Sequence, residues 1–139
     1  MNLVSLFFTM AAIGIAETAY LIRERYASRK PICPIGGGCS QVLESRYNKT
    51  LGVYNDLLGL AFYAVTACVA ALLLLEVGAS TRLNQAVVIS TSIALLMSAR
   101  FFYLQWRVIH AWCFWCLLSS LTILLMSLIL LLSGFSLTL

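Results

Sequence analysis

Apolar residues fill four long stretches of the chain, roughly 2–22, 57–76, 84–106 and 113–133, and polar residues crowd between them. Each stretch approaches the ~20 residues a helix needs to cross hydrocarbon. Period-two alternation and frequent turns, which a barrel requires, are absent. Only helices and closed barrels satisfy the backbone in lipid. The pattern therefore predicts an all-α integral membrane bundle of four transmembrane helices, one domain over residues 1–139. The first stretch lacks a basic leader and a small-residue cleavage site before Arg23, so it reads as a span, not a signal peptide.

The composition agrees. With 62% hydrophobic and 10% charged residues and a mean hydropathy of +0.97, the chain is too apolar for a soluble domain. The net charge of +4 is a topology signal. No interleaving of basic and aromatic residues points to nucleic acid; the lipid bilayer is the expected surrounding. One connection stands apart. Residues 23–56 hold both prolines, the run Gly36–Gly38 and most of the charge. A loop that long between short connections reads as functional and as a cap over the bundle.

Four of the five cysteines sharpen this. Cys33 and Cys39 lie in the loop as Cys-Pro-Ile-Gly-Gly-Gly-Cys, and Cys113 and Cys116 open the fourth span as Cys-Phe-Trp-Cys. Four helices in series place both pairs on one membrane face. The glycines allow the first pair to curl into a disulfide ring. In the second pair, the first thiol meets the free N–H groups and positive end of a helix, which favour thiolate. A flexible pair and a helix-tuned pair on one face suit a two-step thiol–disulfide relay, with Cys39 attacking a Cys113–Cys116 disulfide once the loop folds over the bundle. Structural zinc and static disulfides are the competing readings, although Cys-x5-Cys is wider than the usual zinc spacing. Cys68, within the second span, reads as a small packing residue.

Other residues extend the chemistry. Asn55, at a span boundary, can donate to a carbonyl or serve at a helix start with Asp56 in the first turn. Phe101, Phe102, Trp106, Trp112, Phe114 and Trp115 fit either a ring pocket or an interfacial belt. Glu17 and Arg100 fall within spans. Glu17 is close enough to the interface to snorkel or to pair with Arg23 or an arginine from another helix, and Arg100 is long enough to reach the surface. His110 reads as interfacial, with proton transfer as its alternative role.

In order and spacing these features resemble the vitamin K epoxide reductase family in its short microbial form. After Cys33 and Cys39 come Ser40, Val42, Leu43 and Ser45; then Asn55, four residues before Gly59 in Gly-x-x-Phe-Tyr, with Phe62 and Tyr63; then Cys-x-x-Cys at the last helix. The resemblance implies a four-helix bundle around a quinone (menaquinone, ubiquinone or similar), capped by the long loop. It implies that Cys33 exchanges with a separate thioredoxin-fold protein and that Cys39 passes electrons to Cys113. Cys116 would then donate to the quinone, Asn55 would hydrogen-bond a quinone oxygen, and Ser45 would support the cap. Ser120 stands where vertebrate members carry a tyrosine contacting the quinone, a departure from the family pattern.

Orientation runs against family habit. Arg23, Arg25, Arg29, Lys30, Arg46, Lys49 and Arg107 lie on the cysteine side, and Arg82 lies on the other. The positive-inside rule places the cysteine face in the cytoplasm, an inverted arrangement that suits cells with many cytosolic disulfides. The rival function is a small four-helix multidrug or cation exporter built on Glu17. A third reading is a non-catalytic subunit with structural disulfides.

Overall fold

The computed structural model describes residues 2–34 and 38–137. Four helices are long and apolar enough to cross a membrane, as the hydrophobic pattern predicts. Helix α1 spans Leu3–Tyr26 and starts at Asn2, whose side chain accepts the Val4 N–H at 3.1 Å. Its last turn carries Arg23 and Arg25, past the residue where the apolar run ends. The loop that follows is not bare. It contains α2 (Gly38–Leu43), a 3-10 turn at Arg46–Asn48 and a hairpin of β1 (Lys49–Thr50) and β2 (Val53–Tyr54). The strands pair antiparallel, Lys49 with Tyr54 and Thr50 with Val53. Leu51 and Gly52 turn the hairpin with φ of 54° and 80°, the doubly positive turn whose twist matches paired strands.

The chain then enters α3 (Asn55–Leu74), α4 (Ser80–Tyr103) and α5 (Phe114–Leu132). Between α4 and α5 the helix widens into π-helical turns over Leu104–Ile109, and it breaks at His110 with a left-handed φ of 55°. Helix α1 packs mainly on α3 and also on α5, while α4 packs on α5 and α3. Phe7, Tyr63, Val87 and Met126 fill the core. Tyr63 lies so close over Gly14 that a Cβ there would overlap its ring. Its hydroxyl bonds Ser119 Oγ at 2.7 Å, joining α3 to α5. Buried Thr18 and Thr66 donate to carbonyls one turn back, at 2.8 and 2.9 Å. Hydroxyls in lipid need such partners.

Several polar positions differ from expectation. Glu17 neither snorkels nor meets an arginine. It is 5% exposed, faces the bundle interior and accepts from Thr122 Oγ1 at 3.0 Å. The reason is register: Gly14, Glu17, Thr18 and Leu21 share the inward stripe of α1. Arg25, counted among the basic residues of the cysteine side, forms a bidentate pair with Asp56 at 3.1 and 3.0 Å, its guanidinium 3.8 Å from the Tyr54 ring centroid. This clamp joins the end of α1 to the start of α3, below the cap. Cys68 is exposed on the outer face of α3, not packed in the core. Arg100 and His110 are both exposed on the outside of the bundle.

Candidate functional site

The site lies at the end of the bundle where α1 finishes, α3 and α5 begin and α4 gives way to its π-helical turns. Cys33 and Cys39 form a disulfide with Cα atoms 6.0 Å apart. Gly36 and Gly37, expected to curl this ring, lie outside the described residues. Gly38 works differently from the sequence expectation. It lets α2 rest on the backbone of Trp112, where a Cβ would overlap the Trp112 carbonyl oxygen and meet its nitrogen at 3.0 Å. Cys39 is carried inward by this approach. It is 1% exposed, in one apolar cluster with Val42, Ala111 and Cys113, bordered by Phe101, Phe114, Trp115 and Cys116.

The outer arm of the ring is also tied down. Ile32, next to Cys33, is held at both polar groups of its backbone: its N–H donates to Tyr20 Oη at 3.0 Å, and its carbonyl accepts from Trp115 Nε1 at 2.7 Å. The Tyr20 and Trp115 rings pack with centroids 4.6 Å apart. Trp115, the third residue of Cys-Phe-Trp-Cys, thus tethers the loop that carries the other cysteine pair.

Cys113 is the N-cap of α5, and its sulfur accepts from the Cys116 N–H at 3.3 Å. A hydrogen bond from the Cys116 thiol holds the Cys113 thiol below its ordinary value. Burial works against this, and the backbone N–H groups of Cys116 and Trp115 reinforce it. This is the helix-start environment expected for a nucleophilic or leaving thiolate. Both inner cysteines are free thiols while the outer pair is oxidised. Cys113 is fully buried, and Cys116 is half-buried.

A residue absent from the sequence reading completes the inner pair. Gln105, on the π-helical turns, is fully buried, and its Oε1 accepts the Cys113 N–H at 2.8 Å. Its Nε2 has no partner. The available signal was an amide near the end of an apolar span, eight residues before the Cys-x-x-Cys. The Arg25–Asp56 clamp was also missed, because ion pairs across separate elements leave no local pattern.

The other expected residues lie nearby with their groups engaged. Asn55 donates through Nδ2 to the Tyr47 carbonyl at 3.1 Å and accepts from Thr50 Oγ1 at 2.8 Å, bracing the hairpin. One N–H of its amide is left for another acceptor. Ser45 Oγ donates to the Val42 carbonyl at 2.7 Å, closing the end of α2. Ser120 Oγ donates to the Cys116 carbonyl at 3.0 Å. Of the six aromatics, Trp115, Phe114 and Phe101 border the cysteine cluster. Trp112 packs on Phe102 at 5.3 Å, and Trp106 is 52% exposed beside Arg107. These outer rings lie outside the cysteine cluster.

A disulfide with one cysteine on a short helix thus lies against a dithiol at the start of a candidate membrane-spanning helix, an arrangement chemically suited to thiol–disulfide exchange. The family model of the vitamin K epoxide reductase family matches residues 5–131, and the chain belongs to that family. No curated protein matches the chain by sequence. Family membership makes it a multi-pass membrane oxidoreductase of the disulfide-forming kind.

Proposed function

We propose that the protein oxidises the dithiol of a thioredoxin-fold partner and passes the electrons through Cys33/Cys39 and Cys113/Cys116 to a membrane quinone. The observation that supports this most is the burial of Cys39 and Cys113 in one apolar cluster, with α2 seated on Trp112. A partner thiolate attacks Cys33, giving a mixed disulfide and releasing Cys39 as thiolate. The partner's second thiol displaces Cys33, so the partner leaves oxidised and the loop pair is left as a dithiol. Cys39 then attacks Cys113 of an oxidised inner pair, and Cys116 departs as the leaving thiolate. Cys33 displaces Cys113, restoring the outer disulfide and leaving the inner dithiol.

A quinone, when bound, supplies the acceptor chemistry: two electrons and two protons convert it to quinol while Cys113–Cys116 closes to a disulfide. The residues present fit such a group. Phe101, Phe114 and Trp115 provide an apolar border beside half-buried Cys116, and Gln105 offers an unsatisfied donor. Asn55 retains one amide N–H for a quinone oxygen, and Ser45 supports the cap through α2. The exporter reading loses ground, since the Glu17 carboxyl is bonded to Thr122 within the bundle and the chain falls in an oxidoreductase family.

Purified protein, incubated without oxygen with a reduced thioredoxin-fold protein and a quinone, is expected to bleach the quinone absorbance and to stop doing so when Cys116 becomes Ala. Unchanged quinone with all four cysteines intact would remove the proposal. The cysteine face is proposed to be cytoplasmic, supported by the basic residues at that end. Labelling of Cys33 or Cys39 by an impermeant thiol reagent on intact, mildly reduced cells would reverse the orientation.

A further inference from the structure

Gln105 holds the one unpaired nitrogen among the buried, unsatisfied side-chain atoms of the described residues; the others are oxygens of Glu17 and Thr91. A fully buried amide donor without a partner is rare in a native fold. Such an atom calls for an acceptor in the working protein, from an internal water or from a ligand. Its position is set by the other end of the same amide, since Oε1 is fixed by the Cys113 N–H at 2.8 Å. Nε2 is therefore held beside the inner pair. The π-helical turns over Leu104–Ile109 give Gln105 its inward placement, and π-bulges of this kind recur at functional sites.

Of the neighbouring polar groups, only Asn55 keeps a donor to spare, one amide N–H that suits the other quinone oxygen. Ser120 Oγ is committed to the Cys116 carbonyl, and Asn55 braces the hairpin. Glu17 is joined to Thr122, six residues beyond Cys116 and so about 9 Å further along α5. An acceptor that takes electrons from Cys116 brings a carbonyl oxygen into an apolar, aromatic border. There a single well-placed donor sets its orientation.

We propose that Gln105 Nε2 donates a hydrogen bond to a carbonyl oxygen of the quinone, while Oε1 anchors the same side chain to Cys113. Gln105 thereby ties the position of the acceptor to that of the thiol pair. This assignment rests on the quinone reading above.

The test uses protein with both cysteine pairs oxidised, so that menadione binds without turnover. Binding is read by tryptophan quenching, and the carbonyl contact by infrared difference spectroscopy. The wild type is expected to bind menadione with one carbonyl stretch lowered. Gln105→Met is expected to weaken binding about fivefold to tenfold, the worth of one such bond, and to lose the lowered band. A second measurement needs no substitution. With nitrogen-labelled glutamine side chains in the wild type, the Gln105 amide resonance is expected to shift on adding menadione, while those of Gln41 and Gln85 stay. Wild-type protein that does not bind menadione overturns the quinone reading and this assignment with it. Binding with an unmoved Gln105 resonance, or an unchanged band in Gln105→Met, overturns the assignment alone.

Discussion

Gly38→Ala puts the least material where the relay has the least room. The added Cβ would overlap the Trp112 carbonyl oxygen and lie 3.0 and 3.2 Å from its nitrogen and carbonyl carbon. Comfortable contacts begin at about 3.5 Å. All three atoms belong to backbone at the entry to α5, so rotamer change cannot relieve the overlap. Helix α2 must retreat by about 0.5–1 Å, or accept overpacking strain of about 1–3 kcal/mol. Retreat carries Cys39 away from Cys113. A misplacement of about 1 Å between reacting groups costs up to about 100-fold in rate. The four long helices do not depend on this contact, so the bundle should melt almost unchanged. Steady-state quinone reduction driven by a reduced thioredoxin-fold protein is the assay, with thiol counting to verify that Cys33–Cys39 still closes. We expect turnover to fall at least about tenfold with the outer disulfide intact. An alanine variant that turns over at the wild-type rate would refute the claim that α2 seats Cys39 through this approach.

Glu17→Gln keeps an oxygen for Thr122 and is expected to retain relay activity, whereas an exporter working through that carboxyl would be abolished; quinone reduction and cation transport in vesicles separate the two. Removing the Cys116 thiol in Cys116→Ala deletes the first cause of the lowered Cys113 value. The Cys113 thiolate, followed by its ultraviolet absorbance, should then appear at higher pH than in the protein with both thiols, and an unmoved titration would contradict the hydrogen bond. Arg25→Met strands Asp56, whose side chain is 4% exposed, without its bidentate partner. Because Arg25 itself is 24% exposed, the loss should fall at or below the low end for a broken buried pair, about 2–3 kcal/mol, read by thermal or denaturant unfolding in detergent.

The four spans were legible because lipid enforces one rule along the whole length of a helix, and the cysteine spacing was legible because helix starts tune thiols locally. What was illegible depends on contacts between elements. Nothing local to Arg25 shows that Asp56, 31 residues later, will face it. Glu17 reads as interfacial by its distance from the end of the apolar run, yet its position on the inward stripe of α1 determines its burial. Gln105 looks like an ordinary polar residue near a membrane surface until the widened turn places it on Cys113. The glycine run suggested flexibility, whereas Gly38 is required by the close approach to Trp112.

The step on which everything depends is transfer between the two cysteine pairs. Cys116→Ser removes the second inner thiol, so a disulfide formed between Cys39 and Cys113 has no internal route back to the inner pair. With Cys33 also changed to Ser, that bond cannot be resolved from the outer side either. Mass mapping of the doubly substituted protein after mild oxidation is expected to find Cys39 linked to Cys113. Recovery of both as free thiols, or of Cys39 linked only to an external thiol, would contradict the relay.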